Sequence, residues 1–169
     1  NQFTGHITNP RRHINPTAHW MSITGQVLRQ EEYDFKKCVQ VYTWAAMAFY
    51  EANLICWHDK YQYNLIRPIT YIRKLIDPDW NAFLVTPAFP EHSSGHSACS
   101  AACAEVLSYF VGDQYPFTDS THIRSELGVR QFDSFEDAAE EVSWSRFYGG
   151  IHYTSGILQG MCQGQRIAD

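Results

Sequence analysis

No stretch of this 169-residue sequence holds the roughly 20 consecutive apolar residues that a bilayer-spanning helix needs. Basic residues are in the minority: 13 Lys and Arg against 18 Asp and Glu, a formal net charge of -5. With no Lys/Arg run to offset that sign, a general nucleic-acid binder is excluded. Any anion the chain binds must be met by a few convergent cations. The five cysteines (Cys38, Cys56, Cys99, Cys103, Cys162) form no CxxC pair and are odd in number, so they read as core thiols. Internal repeats, low-complexity tracts and convincing alternating strand patterns are also missing. The start at Asn1-Gln2-Phe3 carries no methionine or signal peptide, which fits a mature or trimmed chain or a segment of a longer one. Aromatics, by contrast, make up 15% of the residues and hydrophobics 44%, which is too apolar for disorder and fits one soluble globular domain.

Helical patterns account for most of the remainder. Residues 1–25, with Gly5, Pro10, Pro16 and Gly25, read as loop with one short helix at most. Glu31 to about Arg67 contains no Pro or Gly and reads as one helix, apolar nearly all round and so buried on most sides. Pro68 stops or kinks it, and a second helix follows over Ile69–Ile76. "GHSACSAACAEVLSYFVG" predicts a small-residue helix from His96 to Val111, stopped by Gly112. A final pattern begins at Ser134, breaks at Gly149-Gly150 and resumes towards the end. The expected fold is all-α, a helical bundle in a single domain.

Three short blocks carry the candidate chemistry. In "KYQYNLIRP", Lys60 and Arg67 are two helical turns apart and share a face with Trp57, either as a solvated basic face or as paired cations. In "PEHSSGHSA", Ser94 and Gly95 at a helix start offer a hydroxyl and free backbone N–H groups, with His96 beside them. This is either a plain N-cap or an anion cradle. His92 and His96 are four apart, but the Ser-Ser-Gly step between them argues against a zinc pair. In "SRFYGGIHYTSG", Arg146 and His152 are six apart, and the glycine pair between them lets both reach one point or simply makes an inter-helix turn. Together the blocks supply three cations, two donors and two imidazoles, a set suited to a phosphate- or vanadate-like oxyanion.

Lys-x6-Arg-Pro, then Ser-Gly-His, then Ser-Arg-x5-His, in that order, resembles the signature of vanadium-dependent haloperoxidases and the type 2 phosphatidic acid phosphatase superfamily. The resemblance implies a four-helix-bundle core with vanadate as cofactor, phosphate being able to take its place. Lys60, Arg67 and Arg146 would neutralise its oxygens, and Ser94 and the Gly95 N–H would donate to it. His152 would be the metal ligand, or the phosphoryl nucleophile of a phosphatase. His96 would be the acid–base group, with Lys60 assisting protonation. Trp57 and Phe89 match aromatic positions on the halide side of the pocket. "FPEHSSGHSA" and "SRFYGGIHY" resemble soluble bacterial haloperoxidases of the iodo- and bromoperoxidase type, for which export to the periplasm or medium is the common case.

Hydrogen peroxide and halide would then be the substrates and hypohalous acid the product. Two departures stand out. Ser93 replaces the usual Pro, which is expected to loosen the turn. Gly156 stands where the phosphatase pattern His-x3-Asp has its Asp, leaving the second partner of His152 open between a backbone carbonyl and another acid. Whole haloperoxidases are longer, so the chain corresponds to their C-terminal, site-bearing part. The rival readings are an acid phosphatase working through a phosphohistidine, and a catalytically silent packing module.

Overall fold

A computed structural model describes residues 15–123 and 128–168. Among these it contains six helices: α1 (Pro16–Gln30), α2 (Phe35–Tyr63), α3 (Pro68–Leu75), α4 (Gly95–Val111), α5 (Phe135–Tyr148) and α6 (Thr154–Ala168). One antiparallel pair, β1 (Phe117–Asp119) with β2 (Arg130–Phe132), lies between α4 and α5. Three-residue strands are too short for an alternating pattern to stand out, which is why this pair was illegible in the sequence. The expectation for residues 1–14 falls outside the described residues.

Several helix starts follow their expected chemistry. Ser94 caps α4 and Ser134 caps α5, each side-chain oxygen accepting from the backbone N–H three residues on. The sequence reading fails at α1, which runs through both Pro16 and Gly25. Pro16 follows the cap Asn15 as the first helical residue, where a missing N–H costs nothing. A Cβ at Gly25 would collide with the Tyr42 hydroxyl, so that side chain keeps its place because residue 25 has none.

The long helix also ends four residues early. Asn64 takes the left-handed conformation (φ 47°) and closes α2. Arg67, held extended (φ -72°, ψ 154°) by the proline after it, becomes the N-cap of α3. Pro68 therefore opens a helix rather than breaking one. Lys60 and Arg67 do not share a helix face. The turn between α2 and α3 brings them together.

α4 is the hub. Its small side chains Ala98, Cys99 and Ala102 meet Ala45, Ala48, Ala52 and Cys56 of α2 in one apolar cluster. Leu107 and Cys103 join Trp20, Val27, Phe117 and Phe135 in a second. α2 buries that alanine-and-cysteine stripe, extended by Val41 at one end and Lys60 at the other. Its opposite side leaves Met47, Tyr50, Leu54 and Tyr61 at least half exposed, so the expectation of a helix buried on most sides does not hold in this chain. Among the described residues, no helix is long and apolar enough to cross a membrane.

α6 approaches α4 through Gly160 and Gly164. A Cβ at Gly164 would lie 2.8 Å from both the Ala101 Cβ and the Ala102 nitrogen, and nearer still to the Ala98 carbonyl oxygen. Backbone cannot retreat as a side chain can. Gly164→Val is therefore expected to destabilise the fold by about 1–3 kcal/mol, read as a lower urea midpoint. A midpoint equal to that of the unsubstituted protein would show that α4 and α6 separate freely.

Candidate active site

The turn after α2, the loop before α4 and the break between α5 and α6 converge on one cavity of about 230 Å³. Its wall includes Trp57, Lys60, Arg67, Phe89, Gly95, His96 and His152. Seven of the nine residues singled out from the sequence thus line one space. Ser94 stands one residue before Gly95 as the cap of α4. Arg146 lines a smaller adjoining cavity that shares His96 with the first, and its Nη1 lies 3.4 Å from His96 Nε2.

The glycine pair does what its position suggested. α5 stops at Tyr148, and Gly150 adopts φ 74°, which a residue with a side chain rarely does. The chain reverses there, Ile151 N–H donates to the Arg146 carbonyl (3.2 Å), and His152 enters the cavity.

All three cations are buried, and Lys60 and Arg67 are tied to backbone. Three carbonyl oxygens surround the Lys60 ammonium: Pro90 (3.2 Å), Glu91 (3.0 Å) and Ser93 (2.5 Å). An ammonium has three protons, so Lys60 moors the Pro90–Ser93 loop as well as charging the cavity. Ser93 is itself buried and donates from Oγ to Gln163 Oε1 (2.9 Å). The turn expected to be loose for want of a proline is pinned from both sides.

Arg67 donates from Nε to the Phe89 carbonyl (2.9 Å) and from Nη1 to the Ile151 carbonyl (2.7 Å), with His152 Nε2 3.1 Å from the same Nη1. Its Nη2 is buried without a hydrogen-bond partner among the described residues. Such an orphaned cationic donor is costly unless a ligand oxygen meets it.

Burial pushes Lys60 down to about 8 and Arg67 and Arg146 each to about 10. A bound anion would offset that desolvation. The Ser94 Oγ accepts from the Ser97 N–H and hydroxyl (3.3 and 2.8 Å), neither of which uses the Ser94 proton. The first amides of α4 add the positive end of a 17-residue helix. Orphaned guanidinium nitrogen, helix terminus and clustered cations fit a tetrahedral or trigonal oxyanion.

Aromatic rings form the other wall. Phe89 lies 4.9 Å from Trp57 between centroids, with the Lys60 ammonium 5.3 Å and the Arg67 guanidinium 5.0 Å from its ring centre. Cations over ring faces are held without being neutralised.

One functional residue was missed. The Glu91 carboxylate is fully buried, with Oε1 2.6 Å from His152 Nδ1 and 3.1 Å from the Tyr153 N–H. Burial raises its pKa, against the opposing pull of the Tyr153 N–H and of Arg67 and Lys60. Of the two partners left open for His152, the acid is the one present. Its only trace in the sequence is an acidic residue in the most chemically dense loop, 61 positions from the histidine it meets.

The family described as the VCPO second helical-bundle domain matches residues 40–79 and 75–169. The solved structure of the first bacterial vanadium-dependent iodoperoxidase shares 44% identity over 92% of this chain, with a TM-score of 0.88. The chain belongs to the vanadium-dependent haloperoxidase family. Holo- and apo-type bacterial vanadium-dependent chloroperoxidases, at 17% and 18% identity, share the fold with TM-scores of 0.72. No curated protein sequence matches. The chain spans 38% of the length of the iodoperoxidase it resembles, and 39% and 40% of the chloroperoxidases.

The lowered Lys60 value gives a signed prediction. The ammonium loses its charge as pH rises through about 8, while both arginines keep theirs to about 10. The ratio of vanadate affinities, wild type over Lys60→Gln, should fall towards one across that pH. Taking the ratio removes the anion's own titration. A constant ratio on both sides of that pH would show that the Lys60 charge is not felt in the cavity.

Proposed function

We propose that this chain carries the vanadate site of a haloperoxidase and supports the oxidation of halide, iodide or bromide by hydrogen peroxide. The observation that carries this reading is the single cavity in which His152 Nε2, the Arg67 guanidinium and the start of α4 stand together. Lys60, Arg67 and Arg146 would offset the charge of vanadate, the Gly95 N–H and Ser94 O–H would donate to it, and His152 would bind the metal through Nε2. When bound, the group supplies a Lewis acid that polarises the O–O bond of peroxide without changing its own oxidation state.

The protein residues do the rest. His96, between the two cavities, takes the proton of the incoming peroxide and returns one as the product leaves. The halide gives up two electrons to the O–O bond, so peroxide, halide and one proton become hypohalous acid and water. Trp57 and Phe89 exclude water from the halide side. Shedding hydration is easiest for a large, weakly hydrated anion, which supports iodide or bromide over chloride.

A second reading gains from the buried acid. Lack of an Asp at 156 spoke against a phosphatase, yet Glu91 supplies a carboxylate to the same imidazole nitrogen from another direction. A His152 nucleophile oriented in this way suits transfer of a phosphoryl group. Parallel assays decide between the two. With vanadate and peroxide, the protein should oxidise iodide and bromide, and His152→Ala should abolish this. Phosphate-ester hydrolysis that vanadate inhibits, without halide oxidation, would establish the phosphatase. Neither activity, with no vanadate-induced thermal shift, would leave a silent module.

A further inference from the structure

The phosphatase pattern His-x3-Asp places an acid four residues after the histidine; here that position is Gly156, on α6. A Cβ built at Gly156 would stand 2.8 Å from Glu91 Oε2 and 2.9 Å from its Cδ, and closer still to Oε1. A side chain at 156 would displace the Glu91 carboxylate from its place against His152. The glycine is thus the vacancy that the glutamate fills. In this chain the acid beside His152 stands in the loop before α4, and α6 presents no side chain against it.

Glu91 is held from several directions. Its N–H donates to the Leu65 carbonyl (2.9 Å), its carbonyl accepts from Lys60, and Oε1 accepts from the Tyr153 N–H. Across the imidazole, Arg67 fixes the tautomer. A guanidinium can only donate, so His152 Nε2, 3.1 Å from Arg67 Nη1, must be the accepting nitrogen. The ring proton therefore sits on Nδ1 and is given to Glu91 at 2.6 Å. The nitrogen left with a lone pair is the one beside Arg67, on the side of the cavity.

We infer that Glu91 is the positioning residue of His152, locking its Nδ1–H tautomer and ring orientation for oxyanion binding, and that Gly156 is the compensating half of this pairing. The inference deepens the proposed function and rests on it for the ligand only. The tautomer belongs to the protein alone. Orienting carboxylates of this kind typically contribute 10–100-fold to affinity for the metal.

The test separates the two claims. Long-range proton–nitrogen NMR of the vanadate-free protein at one fixed pH should show His152 protonated at Nδ1. In Glu91→Ala that signal should give way to a tautomer mixture, and vanadate affinity by calorimetry should fall roughly 10–100-fold. Glu91→Gln, which keeps the shape and an accepting oxygen, should retain the Nδ1–H but shift its resonance, with a smaller loss of affinity. In Glu91→Ala/Gly156→Asp the acid is placed on α6 and should recover most of both signatures.

If Glu91→Ala does not fold, the Glu91→Gln resonance and affinity decide. An unchanged Nδ1 resonance and wild-type affinity in the variants would overturn the inference. If the wild type shows the Nδ1–H tautomer but binds no vanadate, the haloperoxidase reading falls while the role of Glu91 stands.

Discussion

The backbone-to-backbone approach of α4 and α6 sets the register of everything around the cavity. It is possible only because Gly160 and Gly164 present no side chains to Ser97, Ala98 and Ala101. That contact fixes the first residues of α4 against the first residues of α6, and the Ser94 N–H donates to the Gly156 carbonyl at 2.9 Å. The cradle of amides and the imidazole beside it are then two ends of one rigid joint. The cost of a glycine-rich helix, near 1 kcal/mol for each glycine relative to alanine, is accepted where close approach matters more than helical propensity.

The electrostatics follow from that joint. Lys60 and Arg67 line one cavity and Arg146 the adjoining one, with the Glu91 carboxylate against His152, and among the described residues the Arg67 guanidinium keeps a donor without a partner. Burial alone would favour neutral side chains. Backbone carbonyls hold the lysine and one arginine in place without cancelling their charge, because a carbonyl is a dipole and not an ion. The result is a preorganised positive field, the arrangement in which electrostatic stabilisation is most effective.

Much of this was legible in the order of residues, though not always for the right reason. The caps at Ser94 and Ser134 and the reversal at Gly149-Gly150 follow from local rules that need no partner. Lys60 and Arg67 do meet, but through an αL asparagine and a proline-started helix rather than along one helix face. α1 was obscured because Pro16 and Gly25 look like breakers, and only a tertiary neighbour, Tyr42, reveals why the glycine belongs inside a helix. Glu91 was illegible for a deeper reason. Its function depends on a residue far along the chain, and the signal at that place is an absence, a side chain that is not there.

The outer side of α2 and the mouth of the cavity are continuous, since Trp57 belongs to both and remains 37% exposed. Under the proposed function, the dielectric that a halide would meet is therefore not decided by the bundle interior alone. A layer laid over Tyr50, Leu54 and Trp57 would act as a roof, lowering water activity above the aromatic rings and changing which anions can afford to shed their hydration. Selectivity and the shielding of that helix are one quantity seen from two sides.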